Sequence, residues 1–279
     1  MAGAWAARQP PYRGMTLAVV TGASSGIGGA TSQALADRGA DLILIARSER
    51  LEQTRRRIEQ QALDSDVLCL RADLARSEER GRIGCTLRDI ARERQQPVQA
   101  LVHAAGVGAP SPGLTAMAGA DLEHALSVNV TAPLELTQGL LPVMGDGETA
   151  ARVLFIGAGV DDKPQPGTGS YGISKLALKR LWRQIPLDLA QEAWPCPPLI
   201  GLFQPGIVDT PGLGAHIEAA RACGLPHADY LQGVIDRGEA YNPGTVAEAI
   251  ATLLTHTDHE AFAEREWRTH ELATSAPAS

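Results

Sequence analysis

Aromatic side chains are scarce in this chain, at 4% of 279 residues. Its core must therefore rest on Ala, Val, Leu and Ile. No apolar run approaches the roughly 20 residues that a membrane-spanning helix needs. The opening stretch, residues 1–14, has no long apolar run of the kind a secretory signal carries. The four cysteines, Cys69, Cys85, Cys196 and Cys223, show neither metal nor redox spacing. In a chain this long they read as reduced thiols, and the expected location is cytoplasmic. Clustered positive charge is missing as well. The net charge is −7, and the arginine run at residues 55–57 fits a solvated helix face. Neither a nucleic-acid surface nor a membrane partner is expected. The cluster His256-Thr257-Asp258-His259-Glu260 is not an H-E-x-x-H pattern and reads as a solvated helix end, so no metal site is expected.

What is present is an alternation. Short apolar segments at 16–20 (TLAVV), 41–46 (DLILIA), 66–71 (DVLCLR), 98–103, 152–156 and 199–203 read as strands. Helical patterns lie between them, at 26–38, 48–61, 77–94, 117–141 with a break near Pro133, and 170–191. Ser170 reads as the N-cap of the last of these, and Pro186 inside it is expected to bend it. Asn242 and Pro243 read as an N-cap and first-turn pair opening a helix that runs to residue 254. Apolar strands alternating with helices imply a parallel sheet covered on both faces. Right-handed crossovers then favour a doubly wound α/β fold in a single domain. Such sheets bind ligands at the carboxyl ends of their strands, where the Gly- and Pro-rich stretches 106–113 and 163–169 fall.

The first strand leads into Thr21-Gly22-Ala23-Ser24-Ser25-Gly26-Ile27-Gly28 and then a helix. A diphosphate needs close backbone approach and a helix N-terminus aimed at it, and glycine permits both. Strand before and helix after is the context this motif requires. The second strand ends Ile45-Ala46-Arg47, with no acid to hold a ribose 2′-hydroxyl. Arg47 suits a 2′-phosphate instead, which selects NADP over NAD.

Tyr171 and Lys175 stand four apart at the start of the long helix and share a face. A phenol is a weak acid at neutral pH, and a nearby ammonium is expected to lower its pKa. Such a pair exchanges a proton with a hydroxyl or carbonyl oxygen while a nicotinamide exchanges hydride.

Together these segments resemble the short-chain dehydrogenase/reductase family over nearly the whole chain, from about residue 16 to 254. The residues that carry the resemblance are TGASSGIG at 21–28, Asp73-Leu74, His103-Ala104-Ala105-Gly106, Asn129, Tyr171-Gly172-Ile173-Ser174-Lys175 and Pro205-Gly206-Ile207-Val208-Asp209-Thr210. The resemblance implies that Gly22, Ser24, Ser25, Gly26, Ile27 and Gly28 hold the diphosphate, that Asp73 and Leu74 touch the adenine, and that Ala104, Ala105 and Gly106 line the cofactor. It implies that Pro205, Gly206, Val208 and Thr210 hold the nicotinamide end. Lys175 would bind the nicotinamide ribose, and Asn129 would hold a water that links Lys175 to solvent. The fold expected is a mostly parallel, seven-stranded Rossmann sheet at residues 15–262. An extension at 1–14, a substrate lid at about 209–240 and a tail at 263–279 complete the chain. Leu213, Ile217, Leu225, Tyr230 and Leu231 could wall the lid. A homodimer or homotetramer is implied.

Two positions depart from the family pattern. His103 stands where asparagine is usual and reads as structural. The usual serine, thirteen residues before the tyrosine, is Ala158. Losing one donor to a developing oxyanion costs about 3–4 kcal/mol. Three accounts stay open: a donor from residues 161–170 replaces it, the substrate needs none, or the chemistry is redox-neutral. The leading expectation is an NADPH-dependent ketone or aldehyde reductase, or the reverse alcohol dehydrogenase. The alternatives are a cyclase, dehydratase or isomerase on the same scaffold, and a non-catalytic cofactor-binding protein.

Overall fold

The strand β1 (Leu17–Thr21) is buried at every position, and β2 (Asp41–Ala46) at all but its first. Strands of this kind are stable only inside a sheet covered on both sides. The computed structural model describes residues 17–192 and 194–273, so the expected extension at 1–14 lies outside the described residues. The remaining strands are β3 (Val67–Arg71), β4 (Ala100–His103), β5 (Arg152–Ile156), β6 (Leu199–Gln204) and β7 (Glu266–Arg268). They form one seven-stranded sheet in the order β3-β2-β1-β4-β5-β6-β7, with every pairing parallel. The strand order reverses between β1 and β4. The crevice at the carboxyl ends there is the natural ligand site of a doubly wound sheet.

Period-two alternation divides each strand between two cores. Ala18 and Val20 of β1 face one side, under α1 (Gly26–Ala36), α2 (Leu51–Gln61) and α9 (Pro243–His256). Leu17 and Val19 face the other, under α3 (Ser77–Glu93), α5 (Ala132–Leu140) and α6 (Gly169–Gln191). Phe155, Phe203 and Phe262 are all fully buried, so the three phenylalanines go to the interior.

Three elements differ from the sequence expectation. The break near Pro133 is a π-helical turn over Ser127–Thr131, between α4 (Gly119–Leu126) and α5. Pro133 itself sits in the first turn of α5, where its missing N–H costs nothing. The long helix α6 starts at Gly169, and Ser170 is not its cap. The Ser170 hydroxyl instead donates to Ala109 O at 3.1 Å. Pro186 lies inside α6 on its exposed side, and the helix still runs on to Gln191. Finally, β7 and the short helix α11 (Thr269–Ala273) fall in the stretch expected to be a tail. With only three residues, β7 shows no readable alternation, and only its pairing with β6 makes it a strand. The stretch expected to form a lid holds α7 (Pro211–Ala222) and α8 (His227–Asp236), and α10 (His259–Glu264) precedes β7.

Candidate active site

The glycine turn is shaped by contacts that no side chain would survive. Gly22 has φ +68°, and a Cβ there would lie 2.7 Å from Ala105 N. A Cβ on Gly28 would lie 2.5 Å from Gly22 O. Backbone therefore packs on backbone, and the loops after β1 and β4 touch directly. Ala105 N–H donates to Thr21 Oγ1 at 3.2 Å and ties the same loops together. At the mouth of α1, Ser25 is extended and makes no side-chain cap bond, and the first turn carries no acid. The N–H groups of that turn are thus left facing outward with no carboxylate competing for them. The Thr210 methyl lies 3.3 Å from where a Cβ on Gly26 would stand, so the segment after β6 closes against the same turn. Thr210 also caps α7 by accepting from Leu213 N at 3.1 Å. Gly206 has φ +78° and packs under the Tyr241 ring.

Arg47 is exposed just past the end of β2 and makes no ion pair with the described residues. The loop after β3 runs beside it, because Ala72 N–H donates to Ala46 O at 3.1 Å. Asp73 closes a local turn there by accepting from Ala75 N at 3.0 Å, while Leu74 is buried. These residues and Ser24, Ala104, Pro205 and Val208 lie at carboxyl ends of strands or in the loops that follow them, and Ile27 lies in the first turn of α1.

Three side chains meet on the other side of the crevice. Lys175 is buried and donates to Ile156 O at 2.8 Å. Its ammonium stands over the Tyr171 ring, 5.6 Å from the centroid. Asn129, in the π-helical turn, accepts from Val107 N at 2.9 Å and donates to Val107 O at 2.7 Å and to Ser174 Oγ at 2.8 Å. Gly106 sits between them: a Cβ there would be 3.5 Å from Lys175 Nζ and 3.7 Å from Asn129 Oδ1. Gly108 lies under Tyr171, where a Cβ would fall 2.5 Å from the tyrosine Cβ.

The electrostatics correct one expectation. Tyr171 keeps partial exposure, but the protein packed around its phenol pushes the pKa up to about 12, and the charge of Asp161 adds to the rise. Burial pushes Lys175 down to about 8, opposed by Asp161. The anticipated lowering of the tyrosine is absent because the ammonium faces the ring and is held by Ile156 O. His103 is buried against Thr137, with Nε2 3.1 Å from Oγ1, and burial holds its pKa down at about 3. It is a neutral core residue.

Ala158 lies in the turn after β5. The nearby groups proposed to replace a serine are engaged elsewhere. Thr168 donates to Gln165 O, Ser170 donates to Ala109 O, and Asp161 accepts from Gln204 and from the Asp162 amide. Sequence reading gave no role to several neighbours of these groups: Gly108, Gln204, Lys179 and Ser174, which it named only as part of the tyrosine motif. Lys179 had a signal, since Tyr171, Lys175 and Lys179 follow one another at helical spacing and both lysines are buried. Gln204 had none, because only the parallel pairing of β5 with β6 brings it across Gly157.

The model of the short chain dehydrogenase family matches residues 16–220. The chain belongs to that family. An uncharacterized oxidoreductase of Listeria monocytogenes is 30% identical over 175 residues, which is 62% of this chain and 67% of the relative. Benzil reductase of Bacillus cereus is 23% identical over 243 residues, 86% of this chain and 94% of the relative. Among solved structures, an alcohol dehydrogenase from Thermococcus sibiricus complexed with 5-hydroxy-NADP superposes with a TM-score of 0.69 at 25% identity, covering 91% of this chain and 94% of that one. L-sorbose reductase from Gluconobacter frateurii, complexed with NADPH and L-sorbose, gives 0.76 at 22% identity over 92% and 96%, and this match speaks for the fold alone. The chain is a short-chain dehydrogenase of the oxidoreductase class, and among the described residues no helix is long and apolar enough to cross a membrane.

Proposed function

We propose that this dehydrogenase is NADP(H)-dependent and interconverts a small ketone or aldehyde with its alcohol, with Tyr171 giving or taking the proton. The observation that carries the reading is the position of one loop. Residues 104–106 abut the glycine turn through Ala105 and border the Lys175–Asn129 pair through Gly106. The dinucleotide cradle and the proton-handling residues therefore share a wall.

The residues fit the cofactor. Gly22 and Gly28 let backbone pack on backbone where a Cβ would clash, Gly26 takes a left-handed φ of +55°, the first turn of α1 offers its N–H groups, and Arg47 is free for a 2′-phosphate. When bound, the nicotinamide supplies or accepts the hydride. Tyr171, protonated across the neutral range, donates to the carbonyl oxygen as negative charge develops there. Lys175 orients the tyrosine and contributes positive charge. Asn129 braces the loop that borders them. The turn between α7 and α8 packs on the loops after β4 and β5, with Cys223 beside Pro110 O and Leu225 against Gly167, and a lid of these two helices would exclude water from the crevice. The partner is thus a small carbonyl or alcohol.

Tyr171→Phe tests the reading. It should abolish carbonyl reduction while NADPH binding, followed by calorimetry, is unchanged. Retained turnover would sink the mechanism. Ala158 favours a second reading, redox-neutral chemistry on the same scaffold. Product formed with no change in nicotinamide absorbance selects that reading.

A further inference from the structure

The turn after β5 carries a buried carboxylate that this mechanism leaves unused. The Asp161 side chain is 3% exposed. Its amide donates to Ala158 O at 3.1 Å and closes the turn that presents Ala158. Its carboxylate accepts from the Asp162 amide at 2.7 Å and from Gln204 Nε2 at 2.8 Å. The Gln204 amide group lies across Gly157, 3.0 Å from where a Cβ would stand. Val160 O in the same turn comes within 3.3 Å of a Cβ position on Gly172, next to Tyr171. Asp161 thereby ties residues 157–161 to β6 and to the start of α6.

We propose that Asp161 is a positioning residue for the Tyr171–Lys175 pair, fixing the turn beside the tyrosine and placing a carboxylate in the surroundings of both groups. The proposal rests on the reading of that pair as the proton carrier. The other charged and titratable groups around Asp161 are Lys179 on α6, Asp162 on the loop and Glu266 on β7, with Arg183, Arg265, Arg268, His270 and Glu271 along the adjoining cleft. Lys179 contacts Asp162 directly and Glu266 at 2.6 Å, but Asp161 only at 3.9 Å. The lysine is shared among three carboxylates, so the Asp161 charge is incompletely compensated. After burial, the Asp161 charge contributes to the raised pKa of Tyr171 and opposes the lowered pKa of Lys175. An anion there opposes phenolate and favours ammonium. Together with burial, which is the larger effect, it helps keep the proton on Tyr171, ready for donation to a carbonyl oxygen. Asp161 does not supply the missing serine hydroxyl, because a carboxylate only accepts.

Phenolate absorbance, taken as the difference between each protein and the same protein carrying Tyr171→Phe, follows Tyr171 without any substrate. Asp161→Asn can keep the Gln204 bond and removes the charge. The Tyr171 titration should move to lower pH, by on the order of one pH unit. Asp162→Asn removes the same charge from the exposed end of the cluster and should leave the titration in place. Gln204→Leu breaks the tie and keeps the charge, so kcat should fall with the titration and NADPH affinity unchanged. Lys179→Gln uncovers the Asp161 charge and should raise the titration, which keeps the proposal testable if Asp161→Asn fails to fold. A titration unmoved by either Asp161→Asn or Lys179→Gln overturns the proposal, as does an equal shift in Asp162→Asn. A shift in a protein that reduces no carbonyl upholds the role of Asp161 while removing the reductase reading.

Discussion

Tyr171 and Lys175 lie on one helix face at the spacing the sequence shows, yet their ionisation is set by surroundings the sequence does not show. With the phenol near 12 and the ammonium near 8, the free protein has both groups protonated at neutral pH. The sign for reduction follows. Tyr171 can donate across the whole range, whereas Lys175 loses its charge as pH rises through about 8. In pH profiles, kcat/KM for carbonyl reduction should be level near neutrality and fall above about pH 8, since this ratio reports groups of the free enzyme. A level profile through that region would remove Lys175 from the mechanism. Arg47 makes a second prediction. Arg47→Ala should raise KM for NADPH at least tenfold, equivalent to about 1.4 kcal/mol, and leave NADH nearly unaffected. Equal effects on the two would argue against a 2′-phosphate site. At Ala158 the physical expectation is a gain. Ala158→Ser restores a donor worth up to 10²–10³ in rate if the native reaction develops an oxyanion there, so steady-state kcat for ketone reduction should rise. Loss of a native activity would mean that the alanine serves a different substrate.

At the scale of elements, the sequence shows which segments are strands and helices and that Asn242 caps α9, but not what satisfies the carbonyls at the other end of that helix. Arg152 plays that part: an arginine opens β5 where an apolar residue is expected, and it is buried. Its guanidinium donates to Leu253 O at 2.9 Å and Leu254 O at 3.0 Å, and also reaches Thr257 O. It therefore satisfies the last carbonyls of α9 and places positive charge at the negative end of the helix dipole. The Phe262 ring covers it, with the guanidinium carbon 5.1 Å from the centroid. Arg152→Met fills similar space but leaves those carbonyls unbonded, which should cost about 3 kcal/mol or more in urea denaturation. The π-helical turn at Ser127–Thr131 is also invisible in the pattern. Periodicity shows apolar spacing on either side of it, but the wider turn arises where α4 and α5 pack against different neighbours, and it is this turn that aims Asn129 at Val107 and Ser174.

For the whole molecule, the sheet order decides where chemistry happens, and burial decides how stability responds to pH. His103 ends β4 at the switch in strand order and lies against Phe155. In the unfolded chain it takes up a proton near 6.5, whereas in the fold it does so only near 3. Its contribution to stability is complete above pH 6.5 and is lost as pH falls towards 3, by up to about 1.4 kcal/mol per pH unit. His103→Asn should flatten the acid side of the stability curve measured by thermal melts between about pH 6.5 and 4. An unchanged slope would place the acid sensitivity elsewhere.

The sequence by itself determined the alternation of strands and helices, the glycine turn at 21–28 and the Tyr171–Lys175 spacing. Each rests on local chemistry: short apolar runs alternating with helical patterns, backbone freedom at glycine, and the pitch of one helix. It also determined that position 158 is an alanine. Only the tertiary structure decided that β7 exists, because a three-residue strand is stabilised by its neighbour and not by its own pattern. The same holds for the engagement of Ser170, Thr168 and Asp161 with other partners, and for the raised phenol. Those features depend on groups far apart in the chain, such as Asp161 and Gln204, that meet because β5 and β6 lie side by side. Burial and long-range charge are properties of that packing, and no local spacing encodes them.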